Sequence, residues 1–248
     1  GGSKGRLGKK LRLYGEFHHL PSGRQTLDFG FSDQRPLPDD QGWMIGLQGG
    51  LWNFGPSVGQ RGHLNAWLRY ASGLAAFDEL AQPYGLNRDR RALDAQEIRA
   101  AISGNLERGA LGLMLGSYVR AFRDADGQDE DFDDRVEGAA ALRALWLNGY
   151  FTPGIEGSIQ ISRPNGLNPR TDDQDIAHVA QVALIPAWSL GPNAGSYTRP
   201  QLNLVAAVSF LNQGALDLYA EADPRSGEPT VWYFGAGAEW WFGRGGGY

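Results

Sequence analysis

The sequence predicts an all-β fold, an antiparallel transmembrane β-barrel with roughly eleven or twelve strands. Apolar and polar residues alternate with a period of two along most of the chain. The alternating runs are about ten residues long, the length of a tilted membrane-crossing strand, whereas ordinary globular strands average about five or six. Short, turn-like connections interleave with long polar ones, as in a barrel whose two ends face different compartments.

The elements follow in chain order. In "KLRLYGEFHHL", Leu11, Leu13 and Phe17 oppose Arg12, Tyr14, Glu16 and His18. In "RQTLDFGFSD", Leu27, Phe29 and Phe31 oppose Thr26, Asp28 and Ser32. "GWMIGLQGGLW" alternates more weakly. In "HLNAWLRYAS", Leu64, Ala66, Leu68 and Tyr70 oppose Asn65, Trp67 and Arg69. "QEIRAAISGNL" is again weak, and "RDRRALDAQEIRAA", which overlaps it, also fits the start of a short helix. In "ALGLMLGSYVRAF", Leu111, Leu113, Leu115 and Val119 oppose Gly112, Met114, Gly116, Tyr118 and Arg120. "RVEGAAALRALWL", "IAHVAQVALIPAW" and "LDLYAEA" are weaker candidates. In "PGIEGSIQISRP", Ile155, Ile159 and Ile161 oppose Glu156, Ser158, Gln160 and Ser162. In "RPQLNLVAAVSFL", Leu202, Leu204, Ala206, Val208 and Phe210 oppose Arg199, Gln201, Asn203 and Ser209. In the closing "TVWYFGAGAEWWF", Trp232, Phe234, Ala236, Ala238, Trp240 and Phe242 oppose Val231, Tyr233, Gly235, Gly237, Glu239 and Trp241.

"LPSG" and "LNGYFTP" are turn-like, while "DQRPLPDDQ", "FDELAQPYGLNRDRRALDAQ", "RDADGQDEDFDDR", "RPNGLNPRTDDQ" and "EADPRSGEP" are long and polar. One domain is expected over residues 1–248, with 1–9 and 243–248 as flexible ends.

Composition narrows the function. The formal net charge of −5 gives no basic field for nucleic acid. The absence of cysteine removes disulfides and thiolate metal sites. Thirty-six glycines would suit a disordered chain, but an aromatic content of 11% does not. No run reaches the ~18 apolar residues of a membrane helix.

Two architectures suit long alternating strands. A soluble, lectin-like sandwich turns its apolar faces together; a membrane barrel turns them to lipid. Strand length favours the barrel, as do aromatics near strand ends (Trp43, Trp52, Trp146, Tyr150, Phe151, Trp188, Tyr197, Trp232, Trp240, Phe242), which suit interfacial girdles. So does the glycine-rich, mixed-charge opposite face.

"YTRPQLNLVAAVSFLNQGALDLYAEADPRSGEPTVWYFGAGAEWWF" resembles the last hairpin of the maltoporin-like carbohydrate porins, and "HLNAWLRYASGLAAFDEL" resembles a mid-barrel strand and loop of the same family. The family's barrels have roughly eighteen strands, so the chain is read as the C-terminal portion of such a barrel or as a smaller closed relative. The "GRGGGY" tail departs from the family's ending on an aromatic. The resemblance implies passive, selective diffusion of malto-oligosaccharides or related sugars through a homotrimer in a bacterial outer membrane. It implies no cofactor and no energy source. It also implies a lumenal aromatic slide flanked by polar residues. On this chain Trp241 is the first slide candidate, with Trp67, Tyr118, Tyr14 and Tyr233 behind it. The polar track is Arg199, Gln201, Asn203 and Glu239, then Arg69 and Arg120. A general porin or non-sugar channel is the nearest alternative.

An enzyme is not expected. A barrel phospholipase needs a histidine two residues before its serine, and no His-X-Ser occurs. Drafting Asp39, Asp40 and His63 into a protease site has no supporting geometry. No metal site is expected either: "DADGQDEDFDD" is rich in oxygen ligands but misses the EF-hand spacing, so it is read as a solvated loop.

Overall fold

The computed structural model of the chain describes residues 7–26, 34–54, 60–77, 83–128, 131–190 and 195–240. Its strands are β1 (Gly8–Leu20), β2 (Gly23–Thr26), β3 (Gln34–Leu37), β4 (Asp40–Trp52), β5 (Gln60–Gly73), β6 (Gln96–Arg108), β7 (Leu111–Arg123), β8 (Arg135–Trp146), β9 (Gly154–Pro164), β10 (Ala177–Ile185), β11 (Ala187–Ser189), β12 (Gln201–Leu211) and β13 (Thr230–Glu239). Except for the small β2–β3 hairpin, they form one antiparallel meander in the order β1-β4-β5-β6-β7-β8-β9-β10-β12-β13. β11 continues β10 past Pro186, which has no N–H to give the ladder. The Pro186 carbonyl still accepts from Leu204 N–H at 3.0 Å, so β12 is bridged across the break.

Strand direction sorts the connections into a set of 11 to 22 residues and a set of 2 to 11. Segments 21–39, 74–95, 124–134, 165–176 and 212–229 lie at one end, and 53–59, 109–110, 147–153 and 190–200 at the other. The tightest of these, 109–110, puts Gly109 at φ 60, the conformation that a two-residue hairpin loop needs to match strand twist. "LPSG" is not a turn between barrel strands, because it leads into β2 within a long connection. Of the expected strand "RQTLDFGFSD", residues 27–33 lie outside the described residues, and the described part belongs to the small hairpin.

Two other segments differ from expectation. Residues 88–95 form turns and no helix. Side chains take the backbone donors a helix would use: Asn87 Oδ1 accepts from Asp89 and Arg91 N–H, and Asp40 Oδ2 accepts from Ala92 N–H at 2.6 Å. "LDLYAEA" is not a strand either. Asn212 caps a single helical turn, α1 (Gln213–Leu216), accepting from Ala215 N–H and turning Ala215 and Leu216 inward.

Register carries one parity across every ladder. Leu13 pairs with Leu47, Leu47 with Leu68, Leu115 with Leu142, Ala140 with Ile159, and Ala206 with Phe234. This apolar face is open: Leu11 is 77% and Phe234 72% exposed. No second sheet covers it among the described residues, which rules out the sandwich reading. Aromatics edge it at both ends. Trp188 meets Phe151 at 5.2 Å beside the short connections, and Trp43 meets Tyr70 at 5.4 Å beside the long ones. Trp52 departs from the girdle expectation: its register with Gly8 and His63 places it on the opposite, polar face.

Packing on that polar face is local. The main buried cluster joins Met44, Ala71 and Phe122 of the sheet to Ala75, Ala76, Phe77, Ala92 and Ala95 of the connection 74–95. Every sheet member has polar-face parity, so this connection folds over the inside. Gly42 makes room for it, since a Cβ there would lie 2.4 Å from the backbone nitrogens of Leu74 and Ala75.

Neighbours of opposite parity should therefore respond differently. Leu115→Arg is expected to cost about 2–4 kcal/mol of stability in lipid vesicles, because it puts a charge on the hydrocarbon face. Gly116→Ser, whose new Cβ meets nothing within 4 Å, should stay within about 0.5 kcal/mol. Urea unfolding of vesicle-inserted protein measures both.

Candidate functional site

Three rows of inward side chains cross the middle strands. One row runs Tyr14–Gly46–Arg69–Arg99–Arg120–Glu137–Ser162. The row nearer the short connections runs Arg12–Gln48–Trp67–Ala101–Tyr118–Ala139–Gln160. The row nearer the long connections contains Met44, Ala71, Glu97, Phe122 and Arg135.

Adjacent strands lie about 4.8 Å apart, so three consecutive arginines in one row repel unless an anion joins them. Glu97 is that anion, and its side chain is 0% exposed. Oε1 accepts from Arg69 Nε at 2.9 Å and also from Arg69 Nη2. Oε2 accepts from Arg99 Nη2 at 2.8 Å and from Arg120 Nε. Arg120 Nη1 continues to Glu137 Oε1 at 3.1 Å, and Arg135 Nε reaches the other oxygen of Glu137 at 2.9 Å. Four guanidiniums thus share two carboxylates, leaving this level of the inner wall positive.

The folded-in connection rests on this network. Ala76 carbonyl accepts from Arg120 Nη2 at 3.3 Å, and Tyr84 hydroxyl accepts from Arg135 Nη1 at 3.3 Å. The Phe77, Tyr84 and Phe122 rings pack with centroids 5.3 to 5.7 Å apart, and the Arg120 guanidinium lies 4.6 Å from the Phe122 centroid. The connection covers the wall where its charge is densest.

The expected site residues divide into separate groups. Arg69 and Arg120 come together around Glu97. Trp67 and Tyr118 lie one row away on either side of Ala101. Tyr14 belongs to the arginine row, lying flat against Gly46, where a Cβ would come within 2.2 Å of the ring. Arg199, Gln201, Asn203 and Glu239 collect by the short connections. There Arg199 Nη2 meets Glu239 Oε2 at 2.7 Å, Gln201 faces Glu239, and Asn203 faces Gly237. Tyr233 also faces inward, 58% exposed and opposite Ala207, away from both groups. Trp241 lies outside the described residues.

Glu97, Arg99 and Glu137 were not singled out from the sequence. A signal existed in "QEIRAAISGNL", where Glu97, Arg99, Ser103 and Asn105 alternate with Ile98 and Ile102. The alanines at 100 and 101 blur it. A second polar pair, Arg143 with Glu156 at 2.7 Å, extends the inner ladder across β8 and β9.

An antiparallel sheet with one face for lipid, one polar face, and a connection folded over the polar face defines a porin. The family model for LamB porins matches residues 3–242, and the chain belongs to that family. LamB porins are sugar channels of the bacterial outer membrane, and membership places this chain among them. None of the curated proteins compared with the chain matches it. No helix among the described residues is long and apolar enough to cross a membrane; in this family strands make the crossing.

The network predicts a large effect from one atom-for-group change. Glu97→Gln leaves three guanidiniums without their shared anion and should lower stability by about 3–5 kcal/mol, the typical result of breaking a buried ion pair from one side. Denaturant unfolding of the detergent-folded protein measures the loss. Limited proteolysis should cut the 74–95 connection faster in the variant.

Proposed function

We propose that the channel selects malto-oligosaccharides or related sugars by stacking on Trp67 and Tyr118 while hydroxyls exchange hydrogen bonds with the arginine row beside them. The observation that carries this reading is the adjacency of the two rows. Same-face residues two apart along a strand are about 6.6–6.8 Å apart. A pyranose ring lying on an aromatic presents its C–H face to the ring and its equatorial hydroxyls around the rim. Those hydroxyls then fall within reach of guanidinium N–H groups in the next row. Each contact is weak and replaceable by the next, which conduction requires. The positive surplus of the wall supplies donors for hydroxyl oxygens.

The aromatic path would extend through Tyr14 on the arginine row, and Trp241 remains a proposed slide residue. Arg199, Gln201, Asn203 and Glu239 would form the polar track at the short-connection, periplasmic end, with Tyr233 further along the same face of β13. We further propose that the working unit is a homotrimer, with part of the exposed apolar face of each chain turned to its neighbours and the remainder to lipid.

Single-channel recording in a planar bilayer tests the reading. Graded malto-oligosaccharides should block the current in a concentration-dependent manner. Trp67→Ala and Tyr118→Ala should each weaken the block about 3- to 10-fold, the value of one aromatic contact. An ohmic current indifferent to sugar would leave a general porin and overturn the selective mechanism.

A further inference from the structure

We propose that the connection 124–134 holds a calcium ion between the carboxylates of Asp124, Asp126 and Asp131. One oxygen from each lies within 4.8 Å of the others. Calcium takes oxygen ligands at about 2.3–2.6 Å, so a single ion can touch oxygens up to roughly 4.6–5.2 Å apart. Magnesium, at about 2.0–2.1 Å, reaches only about 4.2 Å and demands stricter geometry. Neither cysteine nor histidine belongs to the cluster, which disfavours softer metals.

An independent observation comes from Asp124 itself. This residue is 4% exposed, and its Oδ2 is buried with no hydrogen-bond partner. Oδ1 accepts from Asp126 N–H at 3.0 Å. A buried carboxylate that leaves an oxygen unsatisfied needs a cation or a proton. The nearby guanidinium does not supply it: Arg123 Nε reaches Asp134 at 3.3 Å. The other ligands are already oriented. Asp126 accepts from the Gln128 backbone and side-chain amides, and Asp131 accepts from Asp133 N–H at 2.8 Å.

The position suggests what the ion does. Gly85, at φ 52, presents its backbone to Asp124, and its carbonyl accepts from Ala125 N–H at 2.8 Å. A Cβ on Gly85 would sit 1.6 Å from Asp124 Oδ2. On the other side, a Cβ on Gly166 would lie 2.7 Å from Asp131 backbone atoms. The cluster therefore stands where connections 74–95, 124–134 and 165–176 meet. Calcium there fastens the folded-in segment to its neighbours on the side of the long, extracellular connections.

Isothermal titration calorimetry of the detergent-folded chain, stripped with chelator and titrated with calcium chloride, tests the site. One ion should bind per chain with Kd between about 10 µM and 1 mM, the range of sensor and extracellular sites. Asp124→Asn and Asp131→Asn should each weaken binding at least tenfold, Asp223→Asn should not, and magnesium chloride should bind more weakly. Retained heat-modifiable gel mobility checks folding. Asp131 is only partly buried, so its variant carries the test if Asp124→Asn fails to fold. No calcium binding to the unsubstituted chain, or binding indifferent to both substitutions, would overturn the proposal.

Discussion

A strand in hydrocarbon must hand every backbone N–H and C=O to a neighbouring strand, because no water is present to accept them. That requirement governs the rest of this molecule. It makes the strands long, joins each to the next in sequence, and leaves the side chains as the only place where two solvents can be distinguished. Since side chains alternate with a period of two, one register fixes the whole partition. Leu13, Leu47 and Leu68 lie on one ladder row, and Arg69, Arg99 and Arg120 lie on a row of the opposite face. A slip of one residue in any pair would bring an arginine to lipid and a leucine to water.

The inner face then faces a difficulty of its own. Polar residues placed by parity do not choose their neighbours, and β5, β6 and β7 each bring an arginine to the same row. Glu97, displaced by two residues along β6, resolves this by accepting from all three. Glycine performs a second service on the same wall. Gly46 lets the Tyr14 ring lie flat, and Gly42 lets backbone approach backbone where the connection turns inward. The composition that looked unlike a packed domain, with many glycines and many aromatics, is the composition of a wall lined by flattened rings.

Period-two patterning was fully legible wherever bulky aliphatics held one parity. Leu111, Leu113 and Leu115, or Ile155, Ile159 and Ile161, define their faces without help from the rest of the chain. β6 and β8 were fainter because alanine serves either face: Ala100 and Ala101 point in opposite directions, and nothing in their chemistry says so. The folded-in connection was not legible at all. Its alanines, Ala75, Ala76, Ala92 and Ala95, are buried against Met44 and Phe122, yet in sequence they sit among charges and read as solvated loop. The acidic segment was misjudged as uniformly solvated for a related reason. Spacing tests for a calcium loop assume that the ligands come from one regular turn, whereas Asp124 is buried by a glycine on a different connection. Long-range contacts of this kind have no period to detect.

Burial also separates the arginines that the sequence treated alike. Arg120 is 6% exposed and spends Nε, Nη1 and Nη2 on Glu97, Glu137 and the Ala76 carbonyl. Its donors are committed to the wall and to the connection resting on it. Arg69 and Arg99 hold Glu97 too, but remain 22% and 30% exposed. A guanidinium has five N–H groups in a fixed plane, and Arg69 turns one edge, Nε and Nη2, to the Glu97 carboxylate. The same anion thus fixes three cations to different depths: Arg120 is a clamp for the connection, and Arg69 and Arg99 stay partly exposed on the inner wall. Rigidity would serve the proposed sugar exchange, because a donor that does not move loses little entropy when a solute arrives and regains little when it leaves. Contacts of that kind can be formed and broken in quick succession along the wall.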